Sequence, residues 1–226
     1  MSLFHTYLSG VVVKYFKEEF MKYEVCIKKI LIALLLTDFS LSHSSTRILL
    51  PKDLFESVPF SSEYIEDGAI IRNINYKSIN EVLIKLNELE KVKLESRGEA
   101  HITVITPPEA KGWFNDHKGI NYLISPIELH HKYFKSLQKT KFEPICIGKQ
   151  ENKKGHKVFY IVVKSEDLFR VRREIHKELL MRSKFTDKKV FFKPENFYPH
   201  ITIGYIGGDI HGVSKGVDTC VYYFSK

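Results

Sequence analysis

Two tetrapeptides of one pattern, His101-Ile102-Thr103-Val104 and His200-Ile201-Thr202-Ile203, constrain this chain more than any other feature. Along a strand, side chains alternate between faces, so His101 and Thr103 point one way and Ile102 and Val104 the other. His200 and Thr202 repeat that arrangement over Ile201 and Ile203. Each segment therefore anchors two aliphatic side chains in a core and presents an imidazole beside a hydroxyl on its opposite face. Two such strands facing each other make a cleft with doubled chemistry. One match arises by chance in roughly one chain in thirty, and both in about one in a thousand, which makes coincidence the weaker reading.

The flanking pattern supports strands at both places. Ala69 to Ile74 reads as a strand, and Ile79, Val82, Leu83, Leu86 and Leu89 recur at helical spacing, in a helix ending near Arg97-Gly98. Ala100 to Thr106 is β-rich and closed by Pro107-Pro108. A helix runs from near Ser125-Pro126 through Leu137, and Phe142 to Ile147 and Val158 to Val163 form a hairpin around a polar loop from Gly148 to Gly155. Leu168, Val171, Ile175, Leu179 and Leu180 give a further helix its buried stripe. Phe197 to Ile206 then carries the second tetrapeptide, and Cys220 to Phe224 adds an edge strand. Strands that follow one another as hairpins predict an α+β fold with antiparallel pairing. Pro51 to Pro59 reads as the connection into the folded part, which gives an N-terminal extension over 1–68 and one domain over 69–226.

A net charge of +8 and a pI near 9.2 favour a polyanionic partner such as nucleic acid. The three cysteines, Cys26, Cys146 and Cys220, lack zinc-binding spacing and read as buried thiols. A Cys146–Cys220 disulfide requires an oxidising compartment. That makes the run ILIALLL at Ile30–Leu36 important. After Lys28-Lys29 and before serines it has the order of a signal peptide, with Met21 as an alternative start and a secretory route through residues 21–45. The other reading is a hydrophobic helix over Val25–Phe39 packed on the domain of a cytoplasmic protein; the two stay open, with the lean towards no export. The run is too short to span a bilayer.

An imidazole pair suits transfer at a phosphodiester, with one neutral ring taking a proton from water and the other, protonated, giving one to the leaving oxygen. Thr103 and Thr202 can donate to non-bridging oxygens, so the chemistry calls for no metal and no cofactor. Tyr198 shares parity with His200 and can stack a base, and Trp113 with nearby Lys111 is a second substrate-binding candidate. Packing accounts for either aromatic at least as well. Tyr205 has the opposite parity and belongs to the core. Arg97 and Glu99 share parity with His101 and can orient it or reach the phosphate, but strand ends commonly carry exposed charges, and that is the reading preferred. Lys139, Lys141, Lys149, Lys153 and Lys154 around the hairpin read by default as a solvated edge, with an RNA-facing rim as the sharper alternative, and Gly207-Gly208-Asp209 reads as a turn. No Walker loop or dinucleotide fingerprint is present, which argues against kinases and dinucleotide enzymes.

From about Ala69 to Ile206 the sequence resembles the two-histidine phosphoesterase superfamily, which includes RNA 2′,3′-cyclic phosphodiesterases. The resemblance rests on the two tetrapeptides, the proline in Pro199-His200, the hairpin between Phe142 and Val163 and the long helix before the second motif. It implies that His101 and His200 are an acid–base pair and that Thr103 and Thr202 hold the phosphate. It also implies a bilobal, pseudo-symmetric fold whose antiparallel sheets line a central cleft, with helices outside. The expected activity is metal-independent hydrolysis of a cyclic phosphate or 2′-linked phosphodiester in RNA or a nucleotide, as in RNA processing or repair. The expected partner is an RNA end or nucleotide, with the protein a monomer that needs no stable protein partner. The alternative is a catalytically silent RNA- or nucleotide-binding module of the same fold. Which histidine is base and which acid stays open at this level.

Overall fold

The computed structural model describes residues 48–56, 58, 69–110, 123–124, 126–186, 189–190 and 192–225. All of them lie in the second of two units into which the chain divides, Thr46–Lys226. The hydrophobic run at Ile30–Leu36 lies outside the described residues. Among the described residues, no helix is long and apolar enough to cross a membrane.

The order of elements is β1 (Ile48–Leu49), β2 (Ile70–Asn73), α1 (Tyr76–Glu90), β3 (His101–Ile105), a short α2 (Pro107–Ala110) and α3 (Pro126–Gln138). It continues with β4 (Glu143–Glu151), β5 (Lys157–Lys164), α4 (Glu166–Ser183), β6 (His200–Ile206) and β7 (Cys220–Ser225). The seven strands form one sheet in the order β1-β7-β4-β5-β6-β3-β2. Its pairs are antiparallel except β1 with β7, where Ile48 meets Phe224. The result is a mixed α/β fold compatible with the expected α+β class. β1 comes from the stretch read as an extension, and it covers β7, which is therefore not the edge.

Local chemistry sets the helix ends. α1 begins at Asn75, whose side chain accepts a hydrogen bond from the Lys77 amide, and ends at Lys91 in the left-handed region at φ 53°. Its residues Ile79, Val82, Leu83 and Leu86 are buried. α4 begins at Ser165, whose hydroxyl accepts from the Leu168 amide. The stripe read for α4 needs one correction. Leu180 is 43 % exposed, whereas Arg172, one turn back from His176, is buried. Its guanidinium satisfies the backbone carbonyls of Pro194, Lys193 and Asn196 and pairs with Glu109. A long cation can occupy a core position when its donors are met in this way.

Helices α1, α3 and α4 bury their apolar side chains in one core with Ile102, Val104, Ile201 and Ile203. Each such side chain contributes about 1.5–3 kcal/mol of burial. The aliphatic residues of both tetrapeptides thus clamp β3 and β6 to the helical layer, and the alternate residues face the other way. The hairpin strands are longer than read, with β4 running through Lys149 to Glu151. Because β4 lies between β7 and β5, it is not an exposed edge, and Lys149 is tied to Glu90 at 2.9 Å.

Candidate active site

β3 and β6 are neighbours, paired antiparallel at Ile102 and Ile201. That register sets His101 opposite Thr202 and Thr103 opposite His200, all four on the face away from the helices. His101 and Thr202 line one pocket together with Arg97, Glu99 and Tyr205.

Tyr205 stands there because of a bulge. Phe159 pairs with Gly204 but Tyr160 with Thr202, so Ile203 is an extra residue that reverses the alternation. Tyr205 then shares the face of His200 and Thr202, contrary to the parity expectation, and packs beside Tyr160 and Val158. Gly204 is needed at the bulge, since a Cβ there would lie 2.7 Å from Leu83 Cδ1 and 2.8 Å from the Glu95 carbonyl oxygen.

The two imidazoles sit in opposite electrostatic settings. His101 Nδ1 lies 3.0 Å from Glu99 Oε2. An ionised carboxylate only accepts, so Nδ1 is the donor in this bond. Glu99, read as a solvated charge, is thus a direct partner of the first motif. His200 Nδ1 donates to the Tyr198 carbonyl at 2.8 Å, and its Nε2 accepts from the Lys215 ammonium at 3.2 Å. With Nδ1–H fixed on a carbonyl and Nε2 facing a cation, this ring is neutral. Burial, and then the Lys215 charge, push its pKa down to about 4, with a smaller contribution from His101.

Lys215 is held in turn. It is 4 % exposed, lies 3.5 Å from Asp209 Oδ1 and sits 5.2 Å above the centre of the Tyr160 ring. Tyr160 also meets His200 edge-on, at 5.6 Å between ring centres. Asp209 receives a second cation, Arg97, at 2.9 Å. Gly207 and Gly208, at φ 72° and 122°, form the expected turn and deliver Asp209 inward.

Of the expected substrate contacts, Tyr198 is 49 % exposed beside the second motif, while Lys111 and Trp113 lie outside the described residues. Lys215, Asp209 and Tyr160 had no sequence signal of their own, because a loop and a neighbouring strand bring them in. Among the described residues, no three His, Cys, Asp or Glu side chains group as a metal site requires.

A model of the Swiss Army Knife 2H phosphoesterase domain matches residues 71–211, well over half of the chain and inclusive of both tetrapeptides. The chain belongs to the two-histidine phosphoesterase superfamily. Phosphoester hydrolysis is the general activity of these phosphoesterases. No curated protein and no solved structure matches the chain. The matched region holds Glu99, Tyr160 and Asp209 as well as the motifs, and ends before Lys215.

Proposed function

We propose that this phosphoesterase is a metal-independent phosphodiesterase that opens a cyclic phosphate, or cuts a 2′-linked phosphodiester, in RNA or a nucleotide. The observation that carries this reading is the unequal bonding of the two rings: a carboxylate behind His101 and an ammonium in front of His200. His200 is the general base, taking the proton of the attacking water on Nε2. His101 is the general acid, giving its Nε2 proton to the leaving ribose oxygen. One bond forms from water oxygen to phosphorus, one phosphorus–oxygen bond breaks, and the proton count is unchanged. Thr103 and Thr202 donate to the non-bridging oxygens as charge develops.

The pairing at Ile102 and Ile201 supports a pseudo-twofold relation, since an axis through that pair exchanges His101 with His200 and Thr103 with Thr202. On this reading β2 and β3 belong to one lobe, β6 and the strands beyond it to the other, and the substrate lies across their junction. Tyr198 stacks the base, and residues 69–226 form the phosphoesterase domain.

Hydrolysis of 2′,3′-cyclic mononucleotides and 2′,5′-linked dinucleotides in EDTA, with products separated by chromatography, tests the reading. Turnover of at least one class is expected. Tight binding without turnover on all of them would instead make the protein a silent binding module.

A further inference from the structure

We propose that Lys215 is a phosphate ligand of this site, an ammonium that rests on His200 Nε2 and moves to a non-bridging phosphate oxygen when the substrate binds. The proposal deepens the phosphodiesterase reading and rests on it.

Three observations carry it. First, Lys215 is buried, and its ion partner is a carboxylate already bonded by Arg97, so two cations share one anion. A buried cation without a full counter-charge is costly, and a singly charged phosphodiester supplies the missing one. His211 adds a contact to Asp209 at 3.9 Å from an exposed position. Second, the ammonium points at the nitrogen that must accept a proton. A base whose lone pair is occupied cannot act until the donor leaves, and an anion held by Thr202 and Thr103 on the same face is the group that can draw it away. Third, the Tyr160 ring packs against both Lys215 and His200 and holds them together on an apolar surface, where a charge is worth more than in water.

Substrate binding then switches on its own base. While Lys215 sits on Nε2, the charged or titratable groups facing His200 are Lys215, Asp209 and His101, with Arg97 behind Asp209. Once the phosphate takes Lys215, the lone pair is free and the positive charge beside it is neutralised. His200 becomes more basic.

The test follows His200 by NMR in the full-length protein labelled with ¹³C-histidine, its signal assigned with His200→Gln. Titrations are run alone, with adenosine 2′-monophosphate as the probe, and with adenosine as the uncharged control. The nucleotide is expected to raise the His200 midpoint by about one pH unit or more, and adenosine to leave it unmoved. Lys215→Met is expected to weaken nucleotide binding about tenfold or more and to raise the His200 midpoint without ligand, whereas Lys215→Arg keeps binding. A wild-type midpoint that does not move with saturating nucleotide, or no nucleotide binding at all, overturns the proposal, and this arm needs no variant to fold. Unchanged nucleotide affinity in Lys215→Met overturns it too, even with diester hydrolysis intact. Nucleotide binding with the expected shift but no hydrolysis of any diester would support Lys215 as a ligand and remove the phosphodiesterase reading instead.

Discussion

Lys215 Nζ stands 3.2 Å from His200 Nε2, although Lys215 reaches it from a loop 15 residues along the chain. On the other strand the first histidine faces an anion, with Glu99 3.0 Å from His101 Nδ1. A tetrapeptide repeated almost letter for letter therefore yields two histidines with opposite charged partners, a carboxylate for one and an ammonium for the other.

The His200 setting fixes a pH dependence. Burial and then Lys215 hold this ring down to about 4, and kcat/KM reports groups of the free enzyme. Its acid limb is expected near pH 4 and is expected to move upward in Lys215→Met. The fold responds as well. An unfolded histidine takes up a proton below about pH 6.5 and the folded one only near 4, so this contribution to stability is complete above about 6.5 and is lost as pH falls towards 4. Urea midpoints measured from pH 7 to pH 4 check this, and His200→Gln is expected to flatten part of the fall.

Glu99→Gln keeps the shape of the side chain and removes its charge. The loss of a charge-assisted bond to His101 is expected to lower kcat about tenfold, with KM nearly unchanged because Glu99 does not hold the substrate. Steady-state kinetics decide it, and a pure KM effect would place Glu99 among the binding groups.

Arg172 joins the end of β3 to the segment before β6. It is 1 % exposed, donates to the Val104 and Pro194 carbonyls, and lies 4.5 Å from the ring centres of both Phe192 and Phe197. Replacement by Met removes the guanidinium donor from those carbonyls and the ion partner from Glu109, and is expected to cost about 3 kcal/mol or more. Urea unfolding at neutral pH measures it.

Cys146 and Cys220 form a disulfide between β4 and β7, with Cα atoms 5.7 Å apart and a sequence separation of 74. The bond falls where the sequence reading favoured thiols, since cysteine spacing says nothing about strand pairing. A closed loop of that length is expected to contribute about 2–4 kcal/mol. Cys146→Ser with Cys220→Ser is expected to lower the thermal midpoint. Thiol titration of the denatured wild type is expected to find one free thiol among the three cysteines.

Much of this was legible in the sequence because period-two alternation and helical stripes are local. The tetrapeptides, the hairpin, α3 and α4 fall where such patterns put them, and so does the body of α1, which stops at Glu90 and not near Arg97-Gly98 as read. What escaped depends on contacts between distant segments. Nothing near Lys215 announces His200, Asp209 looked like ordinary turn chemistry, and a buried arginine breaks the rule by which the α4 stripe was read. Tyr205 was misplaced because alternation cannot register a bulge; Gly204, with no room for a Cβ, was the available hint. Glu99 was visible by parity, but parity does not separate a partner from a solvated charge.

The central claim is that His101 and His200 act as one acid–base pair, and one measurement tests it most directly. kcat/KM for a 2′,3′-cyclic mononucleotide is determined in EDTA for the wild type, His101→Ala, His200→Ala and the double variant. The account predicts wild-type hydrolysis, a loss of about a hundredfold or more in each single variant, and a double variant little worse than either, because paired groups act as a unit. A wild-type rate retained by either single variant would contradict it.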